Sequence, residues 1–308
     1  PWLLVSLAGC TDARPETEPP PVVESPGSRP PGWQATSLLG DDLFQLEDTT
    51  GAIAEADARL AQAPDDVERL IAAARVRRNF WQYRQAMALY TRAMELAPED
   101  WRPYRYRGHR HLSVRDFPGA VRDLEAARER APLNWDVAYH LGLAYFLVGD
   151  FGSSADEYLR CLSLAEDPGA RAAQGEDFRS CSQNGDDPES RVAMTEWAVR
   201  ALQRAGRMEE ASALVEAVPG DLDIRENLAY YHDLLFYRGL KTEAELLAEG
   251  PDAPYRFETV AQGVANWRLV QGDTAGAVEL YERMVADPWW PGFGRIAAEV
   301  ELLRIRGR

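Results

Sequence analysis

Apolar residues recur at a helical spacing along most of this chain. Between residues 48 and 63, Ile53, Ala56 and Leu60 fall three or four positions apart, and Pro64 ends the run. That spacing puts the three side chains on one face of an amphipathic helix. The same period continues to about residue 305, and no segment alternates apolar and polar residues as a half-buried strand would. We therefore expect an all-α protein.

A longer pattern of 34 residues is superimposed on the helical period. In residues 101–134, small residues stand at positions 8, 20 and 27 of the pattern, namely Gly108, Ala120 and Ala127, and Pro132 stands at position 32. Small side chains let two antiparallel helices approach closely, and a proline ends the second helix. The pattern therefore predicts a helix–turn–helix unit.

This unit resembles the tetratricopeptide repeat (TPR), which also occupies residues 67–100 and begins again at Trp135. One unit cannot bury its own apolar face, so the resemblance implies a stack of units, a right-handed α-solenoid with capping helices. We predict seven segments in order: 1–10 a truncated lipoprotein signal, 11–37 a disordered proline-rich tether, 38–66 an N-terminal capping helix, 67–168 three TPR repeats, 169–190 an inserted loop, 191–291 three degenerate TPR repeats and 292–308 a C-terminal capping helix.

The first ten residues resemble the end of a bacterial lipoprotein signal. An apolar run leads into Leu7, Ala8, Gly9 and Cys10, which match a lipobox, although the usual Met and basic region are absent. The resemblance implies that Cys10 carries the lipid. Because Thr11 rather than aspartate follows, it also implies the periplasmic face of the bacterial outer membrane. The alternative is a chance apolar tail.

Composition narrows the partners and the chemistry. The chain has 50 acidic and 34 basic residues, a net charge of −16, which disfavours nucleic acid and anionic lipid as partners. Phosphate-binding, dinucleotide-binding, zinc-protease and serine-hydrolase motifs are missing from the sequence. We therefore expect a protein without a cofactor that is not an enzyme, bound to the membrane only through its lipid.

Cysteine and histidine leave alternatives open. Once Cys10 is lipidated, Cys161 and Cys181 remain, and an oxidising compartment favours a disulfide between them. The alternative is a small buried thiol and a free loop thiol. His140 could approach His109 from the neighbouring repeat, but a pair of histidines without a third ligand is weak evidence for a metal site.

The TPR resemblance also implies which residues line the concave groove of the solenoid. Arginine suits carboxylates and aromatic rings suit apolar side chains, so the groove would bind a protein or peptide segment, acidic or C-terminal. The alternative is that the arginines pair with neighbouring carboxylates as a solvated face. The predicted groove residues are Arg75, Arg78, Asn79, Arg102, Arg105, His109, Tyr139, Phe146, Arg200, Gln203 and Arg204.

Two hypotheses follow for function. The first is a non-enzymatic scaffold for protein–protein interaction, anchored to the bacterial envelope by a lipid, with its partner in the concave groove. The second is an enzyme, or a protein that binds a small ligand or metal, with a site near His109 and His140 and the insert at 166–190. A long insert in a compact array is more often functional or disordered than neutral.

Overall fold

The computed structural model describes residues 29–167, 169, 180–248 and 257–307. The described strands are β1 (Trp33–Thr36) and β2 (Asp42–Phe44). The described helices are α1 (Ala52–Ala61), α2 (Val67–Asn79), α3 (Tyr83–Leu96), α4 (Trp101–Ser113), α5 (Phe117–Arg130), α6 (Trp135–Val148), α7 (Phe151–Glu166), α8 (Cys181–Asn184), α9 (Pro188–Arg204), α10 (Met208–Glu216), α11 (Leu228–Tyr237), α12 (Glu243–Leu246), α13 (Phe257–Val270), α14 (Thr274–Val285) and α15 (Phe293–Ile305). The fold is an all-α solenoid of helical repeats.

The helix pairs α2–α3, α4–α5 and α6–α7 begin in the same way, one repeat length apart. Asp66, Asp100 and Asn134 precede the first helices, and each side-chain oxygen accepts a hydrogen bond from a backbone N–H of the first turn. Such a cap satisfies a donor that the helix itself leaves unpaired. The turns inside the first two pairs contain Trp81 and Arg115 with φ of 57° and 65°. The third pair has Gly149 at that position, with φ of 88°. The backbone turn therefore recurs in all three pairs, although the residue at the turn differs.

Small residues lie where the paired helices cross. A Cβ atom on Gly108 would lie 2.7 Å from Cγ of Leu124, and one on Gly142 would lie 2.4 Å from Cζ of Tyr158. Real Cβ contacts are not that short, so both crossings require glycine. Ala120, between the same two helices as Gly108, is fully buried. The predicted role of the small residues in helix packing is confirmed.

The β-hairpin was not predicted, and it corrects the expected boundaries at this end. Strands β1 and β2 pair antiparallel, with Ala35 opposite Leu43, in a region assigned to the tether (11–37) and the capping helix (38–66). Helix α1 covers only residues 52–61. Strands of three and four residues are too short to show a clear alternation. They form because Ala35 and Leu43 are buried together against Tyr83 and Trp290.

The insert is tied to the third helix pair. A disulfide joins Cys161 of α7 to Cys181 at the start of α8, with a Cα–Cα distance of 5.2 Å. Ser180 forms a backbone bridge with Asn134, and the Cys181 N–H donates to the Leu133 carbonyl at 2.8 Å. Residues 170–179 of the predicted loop at 169–190 lie outside the described residues. Its last residues are not loop, because α9 already begins at Pro188.

Helix α9 is the central helix of the C-terminal half. Of its seventeen residues, all those from Val192 to Gln203 are buried. Helices α7, α10, α11 and α13 pack against it. Neither α10 nor α11 begins with a side-chain cap, unlike the first helices of the first three pairs. Among the helices of the described residues, none is long and apolar enough to cross a membrane. Cys10 and most of the predicted tether lie outside the described residues.

Candidate functional site

The last helix, α15, lies on the inner side of the solenoid. The Phe293 ring centroid is 5.0 Å from that of His109 on α4 and 6.0 Å from that of His140 on α6. At the other end of α15, the Arg304 Nη2 donates to the backbone oxygens of Phe146 and Leu147 at 3.1 and 2.6 Å. The surface predicted to hold a partner is therefore covered, along α4 and α6, by a helix of the same chain. Residues 292–308 were predicted only to cap the end of the solenoid.

A buried ion pair fastens α15 to the second repeat. The Glu299 carboxylate is fully buried and accepts hydrogen bonds from Arg115 Nε at 3.0 Å and Nη2 at 2.6 Å. It also accepts one from the Leu38 backbone N–H at 3.1 Å, and Arg115 Nη2 donates to the Trp290 carbonyl at 3.1 Å. One carboxylate thus joins the β-hairpin segment, the second repeat and the last helix. Several donors on one buried carboxylate are what make such an ion pair stable.

Two of the predicted groove arginines are neutralised within the chain. Arg102 pairs with Asp100 at 2.7 Å and with Glu68 at 2.5 Å, and these hydrogen bonds raise the pKa of its guanidinium. Arg105 is buried, and its Nη2 lies 2.5 Å from an Asp136 carboxylate oxygen. Both guanidinium groups therefore already pair with carboxylates of this chain, as the alternative interpretation proposed. The prediction that they attract an anionic partner is wrong for this pair.

The predicted groove residues on α9 also have partners within the chain. Arg200 is buried between Glu196 and Asp233 and donates to both carboxylates. Gln203 accepts from Asn266 Nδ2 at 2.9 Å, and Arg204 lies 2.9 Å from Glu301 of α15.

Burial has a clear electrostatic consequence around Arg200. It raises the pKa of the Glu196 and Asp233 carboxyls, because the charged forms lose their hydration, while Arg200 lowers both. Tyr139 and Phe146, the predicted aromatic groove residues, pack instead in or against the core. The prediction that the α9 residues and these rings face a partner is corrected accordingly.

His109 and His140 do lie together, as expected. Their ring centroids are 4.4 Å apart. His140 Nδ1 donates to the Asp136 carbonyl at 2.7 Å, and Arg105 Nη2 donates to His140 Nε2 at 3.1 Å, an arrangement that requires a neutral ring. Burial lowers the pKa of His140 to about 3 and that of His109 well below its ordinary value. Within the described residues, no group of three or more His, Cys, Asp or Glu side chains could hold a metal ion.

One end of the inner surface remains open and cationic. Arg75 and Asn79 on α2 are exposed, and Arg78 is half-buried with an Nε that has no hydrogen-bond partner. Arg110 on α4 is buried with its guanidinium 4.7 Å from the Tyr83 ring centroid. None of the described carboxylates forms an ion pair with Arg75, Arg78 or Arg110. We call these three arginines the cationic patch.

Electrostatics connects the members of the cationic patch. Arg75 and Arg78 are one turn apart on the same helix face. Burial, together with the charges of Arg105 and Arg78, lowers the pKa of Arg110 to about 10. An arginine side chain stays protonated at neutral pH. The patch is therefore a local accumulation of positive charge in a chain of net charge −16. Arg110 was missed by sequence reasoning, because it falls outside the groove positions of the repeat.

Several cavities lie away from the cationic patch. One of about 470 Å³ has mainly apolar walls between α7, α9 and α10, including Leu159, Leu162 and Leu222. Another, of about 110 Å³, lies between α9, α11, α13 and α15 and has aromatic and polar walls, including Gln262. Gln262 and the neighbouring Glu258 were not predicted as site residues. Their signal was the polar stripe at residues 258, 262 and 266 on an otherwise apolar helix.

One family model and a set of solved structures are similar to this chain. A family model described as tetratricopeptide repeat matches residues 106–171, which include most of α4 and all of α5, α6 and α7. A solved structure of MamA (AMB-1) is 19% identical, with 54% of this chain and 91% of that chain covered and a TM-score of 0.38. A structure of YrrB, described as a TPR protein with an unusual peptide-binding site, is 15% identical, with 75% and 100% covered and a TM-score of 0.42. The search of curated proteins finds no match.

Proposed function

We propose that this chain is a non-enzymatic scaffold for protein–protein interaction that binds an acidic segment of a partner at the cationic patch. The observation that carries the proposal is the unpaired charge of Arg75, Arg78 and Arg110 at the open end of the inner surface. These three arginines lie together with no ion pair to a carboxylate of the described residues, and a carboxylate-rich segment would balance their charge. TPR repeats, matched over residues 106–171, are consistent with binding a protein.

The proposal narrows the partner site to one end of the inner surface. The charges of the arginines on α4 and α9 that pair with carboxylates of the chain are already balanced within the chain. Arg75 and Asn79, in contrast, are exposed on α2. We therefore assign the first contact with the partner to α2, with Arg78 and Arg110 deeper in the patch.

Reversing one charge of the patch tests the partner site. The variant Arg75→Glu should bind a fluorescent polyglutamate peptide several-fold more weakly than the unchanged chain, because an exposed attractive charge becomes repulsive. The measurement is fluorescence anisotropy at two salt concentrations, and added salt should reduce the affinity of the unchanged chain more than that of the variant. Arg122→Glu, at an exposed position of α5, is the matched control. Equal loss in both variants would mean that only net charge matters, and the patch would not be the site.

The second part of the proposal is lipid anchoring at the bacterial envelope through Cys10. Its support is the lipobox-like Leu7-Ala8-Gly9-Cys10 followed by a proline-rich stretch. In a chain preceded by a complete signal, Cys10→Ala should move the protein from the membrane fraction to the soluble fraction. Cys181→Ala, which leaves the lipobox intact, is the control. Membrane association that survives in Cys10→Ala would contradict the anchor.

The alternative function, a catalytic or metal site at His109 and His140, has less support. Phe293 covers both rings, and the hydrogen bonds of His140 are already made with Asp136 and Arg105. A reacting group or metal would have to displace α15 to reach them.

A further inference from the structure

The cavity between α9, α11, α13 and α15 has an unsatisfied amide in its wall. Gln262 lines it from α13 and is 1% exposed, yet neither its Oε1 nor its Nε2 has a hydrogen-bond partner among the described residues. Leaving a buried amide unpaired costs free energy, so such a group marks a place where something else binds. A volume of about 110 Å³ gives room for a few water molecules or one small ligand.

Polar groups packed near Gln262 have partners within the chain. Asn266 lies one turn further along α13, and its Nδ2 donates to Gln203 of α9 at 2.9 Å. Arg200, on the wall of the same cavity, donates to two buried carboxylates. The amide of Gln262 differs from both, because it faces the cavity with its donor and its acceptor unused.

The hydrogen-bonding pattern of Gln262 selects the ligand. Its side chain has an acceptor, Oε1, and a donor, Nε2, side by side. A primary carboxamide has the complementary donor and acceptor on one edge, so a single group satisfies both atoms. A carboxylate has only acceptors and an ammonium group has only donors, so each would leave one atom of Gln262 unpaired. A backbone amide is trans, with its N–H and C=O on opposite sides, and fails for the same reason.

Aromatic rings form much of the rest of the wall. Trp197, Tyr230 and Phe293 line the cavity, and Trp289, which is 37% exposed, lies at its solvent side. Such rings present flat apolar faces, and hydrogen bonds are stronger where apolar walls lower the local dielectric constant. The walls therefore match the flat shape of a carboxamide and strengthen its hydrogen bonds to Gln262.

We propose that this cavity binds a primary carboxamide group, whose N–H donates to Gln262 Oε1 and whose C=O accepts from Gln262 Nε2. Two sources supply such a group, a free small amide and the side chain of a partner's glutamine. The site is separate from the cationic patch and does not depend on the proposed function.

Propionamide and butanone, in which a methyl group replaces the amide NH₂, test this directly. Ligand-detected NMR with the whole chain should show binding of propionamide and none of butanone, because only propionamide can donate to Oε1 of Gln262. Nα-acetylglutamine N-methylamide, titrated in the same way, distinguishes the sources: its binding indicates a partner's glutamine, and its failure beside bound propionamide indicates a free amide. Equal binding of propionamide and butanone, or binding of neither, would overturn the proposal and leave a cavity for water.

Variants at two buried glutamines then assign the binding to this cavity. Gln262→Met keeps an unbranched side chain but removes both hydrogen bonds, so it should weaken propionamide binding roughly tenfold or more. Its melting temperature should not fall, because the amide loses no partner among the described residues. Gln203→Met, the matched control, removes the partner of Asn266 and should lower the melting temperature while propionamide still binds.

Two outcomes would contradict the assignment. If Gln262→Met binds propionamide as the unchanged chain does, the amide binds elsewhere. If the two variants lose the same amount of stability, the Gln262 amide is already paired within the chain and is not available to a ligand.

Discussion

Replacing Glu299 with alanine should lower the free energy of unfolding by about 3–5 kcal/mol. The carboxylate is fully buried and accepts from Arg115 Nε, Arg115 Nη2 and the Leu38 N–H. Its removal leaves the buried Arg115 guanidinium without a counter-charge, and this unpaired charge accounts for most of the expected loss. Because Glu299 is the buried link between α15 and the second repeat, the helix should also become easier to detach.

Chemical denaturation of Glu299→Ala beside the unchanged chain provides the measurement. Glu282→Ala is the matched control, because Glu282 also pairs with an arginine, Arg306 at 2.9 Å, but both side chains are exposed. Exposed ion pairs contribute about 0–1 kcal/mol, so the control should lie close to the unchanged chain. Limited proteolysis between α14 and α15 should accelerate only in Glu299→Ala. Similar stability of the two variants would mean that α15 is not held by this carboxylate.

The first three helix pairs could be predicted from sequence because the features that define them lie within single repeats. A cap and a small residue at each crossing act within one repeat and recur at a fixed interval, and Pro98 and Pro132 follow the second helices of the first two pairs. Gly108 and Gly142 show the strength of this signal, since any larger residue would collide with the facing helix. The cysteine pair was identifiable for a similar reason, because few cysteines leave few choices.

The position of α15 in the groove could not be predicted in the same way. Repeat positions tell which side chains face inward, but not how closely the later helices return to the earlier ones. The last helix also has charged residues at Arg295, Glu299 and Glu301, which suggest a solvent-exposed face in sequence. In the structure all three are buried, because each pairs with a residue of opposite charge. The sequence around Arg115 or around Glu299 contains no pattern that indicates a contact between these two distant residues.

The polar interior of the C-terminal half was misinterpreted for a related reason. Glu196, Arg200 and Gln203 form a stripe on α9, and we assigned the last two to a solvent-facing groove. The stripe instead faces Asp233 of α11 and Asn266 of α13. A helix that is apolar on its other faces and polar along one narrow stripe can be fully buried when its neighbours carry matching polar groups. That matching is a property of the whole fold.

Lowering the pH should weaken the packing of α15 against α4 and α6, because His140 becomes protonated. Its folded-state pKa is about 3, well below the ordinary value near 6.5, so the folded chain binds fewer protons than the unfolded chain between these values. Stability from this group is therefore complete above about pH 6.5 and is lost as the pH falls towards 3. From pH 7 to pH 4 the expected loss is about 3 kcal/mol. His109, whose pKa burial also lowers, adds to it in the same direction.

The variant His140→Gln isolates this contribution. Glutamine does not titrate, so the variant keeps the acid response of every carboxylate but lacks that of the His140 imidazole. Denaturation at pH 7, 5.5 and 4 should show a smaller fall in the free energy of unfolding for the variant, although glutamine costs some stability at pH 7. The difference should grow below pH 6.5, because protonation puts a charged ring against Arg105 and beneath Phe293. Parallel curves for the two chains would show that His140 titrates normally, which would mean that α15 does not keep its ring buried.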